Sequence, residues 1–355
     1  MLKVHQRCNL ACDYCYVYEL ADQSWRDRPR VISPALWRAA ARRIGEHAAR
    51  HDLPHVRVTL HGGEPLLAGV TTLAQIAADL RAAVPCPVTV GLQTNGTALS
   101  AATLAALAEA EISVAVSLDG VGHDKHRRFP SGDGSFRAVS AALSLLCTSS
   151  AYAGLLCVID PSSDPVATYE SLIEWQPPAI DFLLPHANWA SPPSPGCGAW
   201  LASVFDRWYD APRRETSVRL FEDLMSLLLG GPGRSEQAGL APVSVAVIET
   251  DGSLEQVDAL KSAYSGAAST GLSVLTSSLD DLLLHPGMVA RQIGPAALAP
   301  SCLACPVASV CGAGHYAHRY RPGSGFRHPT VYCEDMFLLI GHIRRRLASS
   351  LSVAL

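Results

Sequence analysis

The chain has 355 residues, 48% of them hydrophobic, and a formal net charge of −4. Such a composition excludes a largely disordered protein, and the slight negative charge leaves no bulk electrostatic case for nucleic acid. No apolar run reaches the length of about 18 residues that a spanning helix needs, and no charged lead-in followed by an apolar run marks a secretion signal, so a cytoplasmic location with no membrane partner is expected.

In chain order, short β-rich runs alternate with helical patterns. "LKVH" (2–5) precedes a helix near 34–50. "VRVTL" (56–60) precedes one near 71–82, "VTVGLQ" (88–93) one near 100–110, and "ISVAVSL" (112–118) one near 135–147. "YAGLLCVI" (152–159) precedes 165–175, and "IDFLLP" (180–185) precedes 198–210. Apolar strand, turn, then amphipathic helix is the signature of a parallel sheet with helical crossovers. Six such units are too few for the usual eight-fold barrel and predict an α/β partial (βα)6 TIM-like barrel. Proline- and glycine-rich stretches at 191–198 and 229–239 then interrupt the pattern. "VSVAVIETDGSLEQVD" (243–258) reads as a hairpin turning at Asp251-Gly252, and a helix is expected near 334–349. A boundary near residue 235 is expected, giving a core over 1–235 and a small C-terminal domain over 236–355 that depends on a metal.

Polar and glycine-rich clusters follow the strands: "HGGEP", "TNG", "DG" and "PHANW". In parallel α/β folds that edge carries the chemistry. Cys8, Cys12 and Cys15, in "CNLACDYCYVYE", follow the first strand and so belong on the same rim. Clustered cysteines in a reducing compartment serve metals or redox chemistry rather than disulfides. A structural zinc site wants four closed ligands, and a redox pair needs only two. An iron–sulfur cubane is normally held by four thiolates. Three would leave one iron open, as a catalytic site requires.

The spacing Cys8-x3-Cys12-x2-Cys15, with the aromatic Tyr14 before the last cysteine, resembles the radical S-adenosylmethionine (SAM) enzymes. The resemblance implies a [4Fe–4S] cluster on these three thiolates. It also implies SAM chelating the open iron and yielding a 5′-deoxyadenosyl radical on reduction. It assigns further SAM contacts in order. Gly62, Gly63 and Glu64 of "HGGEP" match the motif that meets the SAM amino group. Asn95 of "QTNGT" and Ser117 of "SLDG" match the third and fourth strand ends. Arg127 matches the arginine near the SAM carboxylate, with Arg128 adjacent. An external reductant such as flavodoxin or ferredoxin is implied as a partner.

Near the other end lie Cys302-x2-Cys305-x5-Cys311 and then Cys333. By spacing alone, zinc and iron–sulfur are comparable readings. Beside a radical SAM core, the run resembles a SPASM extension, which usually carries two auxiliary clusters. Here His315 stands where that pattern places another cysteine, and Val257 stands at the hairpin cysteine. The ligands that remain match one cluster, so the resemblance implies one auxiliary [4Fe–4S] cluster. His315 is either a helper of that site or a packed histidine. Asp258 follows the lost hairpin cysteine and matches the proton acceptor of sulfatase-maturing relatives. Read without the resemblance, it is a solvated hairpin carboxylate. Asp119 and Glu255 are weaker candidates for the same role.

Over essentially the whole chain, "CDYCYVYELADQSWRDRP", "LHGGEPLLAG", "ETDGSLEQVDALKSAY" and "YRPGSGFRHPTVYC" resemble the FxsB-type group. The resemblance implies a ribosomally made precursor peptide as substrate (RiPP maturation). The implied reaction is a cyclophane crosslink from an aromatic ring carbon to a β-carbon, with net loss of two hydrogens. The alternatives are epimerisation, thioether formation or sulfatase-maturing-type oxidation. From a different class, a non-catalytic metal-binding scaffold would hold clusters and cleave no SAM.

Overall fold

The computed structural model describes residues 1–351. Six parallel βα units appear where the alternation placed them. Strands β1 (Leu2–His5), β2 (Val56–Gly62), β3 (Val88–Thr94), β4 (Ile112–Ser117), β5 (Tyr152–Val158) and β6 (Ala179–Leu183) alternate with helices Pro34–Arg50, Val70–Ala83, Ala101–Glu109, Phe136–Leu146, Pro165–Ile173 and Cys197–Tyr209. The helix starts are written in local chemistry. Ser33, Ser100 and Asp164 cap the first, third and fifth helices through side-chain oxygens, and a proline follows the first and last of these caps.

The chain forms two compact units that interleave along the sequence. The first comprises residues 1–118, 123–155 and 245–288, and the second 119–122, 156–244 and the residues from 289 on. The sequence placed one boundary near 235; instead segment 245–288 joins the first unit. The reason is strand pairing. The expected hairpin forms as β8 (Val247–Ile248) and β9 (Ser253–Glu255), and Gly252 turns it with φ 84°. Leu2 of β1 pairs with Ile248 in parallel, and β10 (Ser269–Ser273) closes the edge antiparallel to β9.

Within the first unit the strand order is therefore β10-β9-β8-β1-β2-β3-β4-β5. All four residues of β1 are buried at its centre, as a parallel strand covered on both faces must be. Helices Pro34–Arg50 and Val70–Ala83 pack together over this sheet, pinned where Trp37 Nε1 donates to Asp79 Oδ2 at 2.8 Å.

The second unit takes up the end of β5 and continues it with β6 and the short β7 (Ser217–Val218). Phe182, Phe205 and Phe221 meet in its core with centroid separations of 5.3–6.2 Å. Helix Cys197–Tyr209 runs against the last helix, which starts at Cys333. A Cβ on Gly198 would come within 2.5 Å of the Asp335 carbonyl oxygen, and the Gly198 amide donates to Asp335 Oδ1 at 2.7 Å. Among the described residues no helix is long and apolar enough to cross a membrane.

Candidate functional site

Cys8, Cys12 and Cys15 sit on the loop after β1, each partly exposed. The loop is held from two sides. Ala11 and Asp13 donate their amides to the carbonyls of Arg128 and His126, at 2.7 and 3.2 Å. From the other side the end of β2 docks onto it: the Gly63 amide reaches His5 O at 2.8 Å and the Glu64 amide reaches Arg7 O at 3.0 Å. This contact explains the paired glycines. A Cβ on Gly62 would lie 2.1 Å from His5 O, and one on Gly63 would lie 1.9 Å from the Tyr18 hydroxyl. The sequence assigned that freedom to approach by a ligand; the structure spends it on approach by the cysteine loop itself.

Glu64 is fully buried, and its carboxylate accepts from the Leu66 amide (2.9 Å), the Thr94 hydroxyl (2.7 Å) and the Asn95 amide (2.8 Å). Burial raises its pKa while these bonds oppose the rise. The carboxylate thus braces the end of β3, and the braced residue is Asn95. Asn95 Nδ2 lies 2.9 Å from Asn9 Oδ1 and 3.6 Å from Cys8 Sγ. The Leu10 amide also points at Cys8 Sγ, at 3.4 Å. Burial pushes the Cys8 thiol up to about 12 and raises Cys15 as well. Amides aimed at Cys8 and Cys15 oppose that, which suits thiolates held as metal ligands.

Arg127 and Arg128, adjacent in sequence, part company. Arg127 is buried, with its guanidinium 5.4 Å from the Tyr14 ring centroid, and its charge acts on Cys15. Arg128 is exposed and donates from Nε to the Asp124 carbonyl at 2.8 Å. Ser117 ends β4, where Gln93 Nε2 donates to its hydroxyl at 3.0 Å. Tyr14, Gly62, Gly63, Glu64, Asn95, Ser117 and Arg127 all lie in the first unit with the cysteine triplet.

Asp258 is not a solvated hairpin carboxylate. It is 2% exposed and opens a short 3-10 turn, Asp258–Ser262. Lys3 Nζ is in contact with its Oδ2, and Lys261 Nζ lies 3.2 Å from Oδ1. Despite its burial these two ammonium groups hold the carboxyl well below the usual carboxylate range. The phenol of Tyr16, the residue after Cys15, lies 3.5 Å from Asp258 Oδ2. Around it the ion network continues: Lys261 also meets Glu249 and Glu255, and Arg28 pairs with both. Glu255 therefore serves that network. Asp119, in the second unit, accepts the Val158 amide at 3.0 Å. Sequence reasoning missed Lys3, Lys261, Arg28 and Glu249. A lysine between the apolar Leu2 and Val4 in a strand of the expected parallel sheet was the available signal, because a buried lysine demands a partner.

Lys3 Nζ also lies 3.2 Å from His61 Nδ1, so the neutral ring accepts there. Desolvation and the Lys3 charge lower the His61 pKa to about 3. The unfolded chain, with an ordinary value of 6.5, binds the proton more readily. Stability from this site is thus complete above pH 6.5 and falls as pH drops toward 3. A His61→Gln variant should show a flatter loss of urea midpoint between pH 7 and 5 than wild type. Parallel pH profiles would remove His61 as the cause.

In the second unit Cys302 and Cys311 are buried, Cys305 is partly covered and Cys333 is exposed at the head of the last helix. Cys302 feels the charges of Cys333 and Cys305, Cys311 those of Cys333 and Cys302, and Cys333 that of Cys305. A tetrahedral zinc would draw thiolates to about 3.8 Å of one another. Among the described residues, the triads of possible ligand atoms gathered within 4.8 Å are His47–His51–Asp280 and Glu249–Glu255–Asp258, and neither cysteine group is one of them. Thiolate-only donor sets such as these fit a cubane, which presents a different iron to each thiolate.

His315 packs with His318 and His186, with ring centroids 5.0 and 6.2 Å away. Burial keeps His315 and His318 neutral. Trp25 and Tyr18, which sit near the triplet in sequence, are packing residues: their rings meet edge to face at 4.9 Å, and Arg7 lies 4.9 Å over Trp25.

Comparison with known proteins finds relatives by sequence and by fold. Residues 2–150 match the radical SAM superfamily. A cysteine-type anaerobic sulfatase-maturating enzyme of Clostridium novyi (strain NT) is 24% identical over 269 residues, 71% of this chain and 70% of that one. A serine-type anaerobic sulfatase-maturating enzyme of Bacteroides thetaiotaomicron is 33% identical over 143 residues, 39% of this chain and 34% of that one. Native anSMEcpe with bound AdoMet shares the fold with a TM-score of 0.84 at 20% identity, covering 99% of both chains. Streptococcus suis SuiB bound to precursor peptide SuiA aligns with a TM-score of 0.62 at 14% identity, over 94% of this chain and 75% of that one. Over residues 2–150 the chain is similar to the radical SAM superfamily, and it is an enzyme that works with a [4Fe–4S] cluster and SAM.

Proposed function

We propose that this radical SAM enzyme oxidises a side chain of a polypeptide substrate, with net loss of two hydrogens, and that Asp258 accepts the proton. When bound, SAM with its cluster supplies a hydrogen-abstracting radical, and an auxiliary cluster on Cys302, Cys305, Cys311 and Cys333 supplies an electron acceptor. The observation that carries the reading is the placement of an ionised, buried carboxylate within reach of the phenol that follows Cys15.

Lys3 and Lys261 keep Asp258 ionised and fix its position. That makes it a weak base in water, yet sufficient for a proton made acidic by the loss of a hydrogen atom and an electron from the same substrate. Tyr16 and the surrounding ion network hold the carboxylate away from bulk water, so the proton passes to a defined oxygen. The Cys8 loop, its Asn95 contact and the Arg127 guanidinium are assigned to cluster and SAM binding.

Sulfatase-maturating enzymes among the relatives favour oxidation of a single side chain, and solved structures of similar fold hold bound peptides, which supports a peptide substrate. A carbon–carbon crosslink of the cyclophane type is the second reading. It shares the same two-hydrogen balance and is favoured by Val257 and His315 standing at two cysteine positions of the usual extension.

The test is anaerobic turnover of candidate peptides followed by mass spectrometry. A product two hydrogens lighter is expected. Asp258→Asn should still form 5′-deoxyadenosine while the lighter product falls by roughly a hundredfold or more. A product of unchanged mass, as epimerisation gives, would overturn the oxidation. Undiminished product in the variant would remove Asp258 from the role. Fragment connectivity separates a crosslink from a single oxidised residue.

A further inference from the structure

Arg319 presents a problem of charge. Its residue is 9% exposed, yet among the described residues no carboxylate forms an ion pair with it; its guanidinium lies 5.4 Å from the Tyr316 ring centroid, and the charges of Cys311 and Cys302 act on it, with Arg291 opposing. Arg291 is itself paired with Glu236. A buried guanidinium without an anion is costly in ordinary protein surroundings. The hydrogen bonds it makes do not neutralise it: Nη2 donates to Gly312 O and Gly314 O, each at 2.6 Å, and Nε to Gly314 O at 3.2 Å. Those carbonyls belong to the turn that leaves Cys311. That turn runs through three successive left-handed residues, Gly312, Ala313 and Gly314, with φ of 60°, 65° and 66°. For Ala313 the conformation is unfavourable, because its Cβ crowds the following carbonyl oxygen.

We propose that Arg319 is the buried counter-charge of the auxiliary cluster, and that it raises the cluster's reduction potential so that it accepts an electron. This rests on the reading that Cys302, Cys305, Cys311 and Cys333 hold that cluster. Four thiolates on a cubane give a net anion, and that anion is the partner the guanidinium otherwise lacks. The reduced state carries one more negative charge than the oxidised state. A fixed positive charge in a low-dielectric site therefore stabilises the reduced state more. The same residue clamps the strained turn behind Cys311, so its charge and its hydrogen bonds must be separated experimentally.

The experiment is an EPR-monitored redox titration of the full-length protein in a Cys12→Ala background, where the auxiliary cluster alone reports. Arg319→Gln should make reduction at least tenfold less favourable, about 59 mV for one electron. Arg319→Lys, which keeps the charge but not the fork, should stay within threefold of the parent. Equal midpoints in all three proteins at equal iron content would overturn the proposal. So would equal shifts in both variants, because the hydrogen bonds alone would then be responsible. Should Arg319→Gln lose its iron, Arg319→Lys decides: retained iron at the parent potential supports the charge, and loss of iron from a folded variant overturns it. A parent without iron in this background would instead refute the auxiliary cluster itself.

Discussion

Cys12→Ala is expected to bring 5′-deoxyadenosine formation down to the level of a no-enzyme control, with the iron on the C-terminal cysteines retained. The three thiols of the first loop are the whole thiolate set of their site, so removing one leaves two for a cubane. Scaffold effects should be small. Cys12 is partly exposed, and backbone bonds from Ala11, Asp13, Gly63 and Glu64 hold the loop. The measurement is mass-spectrometric quantitation after anaerobic incubation with SAM and reductant, beside an iron assay. Wild-type levels of 5′-deoxyadenosine in the variant would refute the assignment of the triplet.

The second large effect falls on stability. Lys261→Met should lower unfolding free energy by about 3–5 kcal/mol. Lys261 Nζ serves Glu249, Glu255 and Asp258, whose oxygens all lie within 4.8 Å of one another. Without it, three buried carboxylates share Arg28 and Lys3, and burial already raises the Glu255 pKa. The surface pair Arg38–Asp79 is the control. Arg38 is 56% exposed there, and its replacement by Met should cost under about 1 kcal/mol. Urea midpoints of the three proteins decide it, and a Lys261 variant no less stable than the control would show that the network contributes nothing net.

Much of the framework is legible in the sequence because its causes are local. The period-2 and period-3.6 patterns, the serine and aspartate caps and the Asp251-Gly252 turn place strands and helices to within a residue or two of where they form. Cys-x3-Cys-x2-Cys after the first strand and Cys-x2-Cys-x5-Cys near the end stand out as two cysteine groups for the same reason: residues close in sequence need little tertiary help to share one loop.

What the sequence could not decide is what meets across long separations. Asp258 looks like an exposed hairpin carboxylate until β8 pairs with β1 and brings Lys3 to it from 255 positions away. Paired glycines in "HGGEP" signal close approach, but only the docked loop shows that the approaching group is the backbone of His5 and Arg7. Arg127 and Arg128 are interchangeable as letters; packing turns one over Tyr14 and the other to Asp124. The division near residue 235 fails on the same ground, since strand pairing between distant segments, not composition along the chain, decides which residues share a core. Local propensity determines the elements, and burial and charge, satisfied only once those elements are assembled, determine the site.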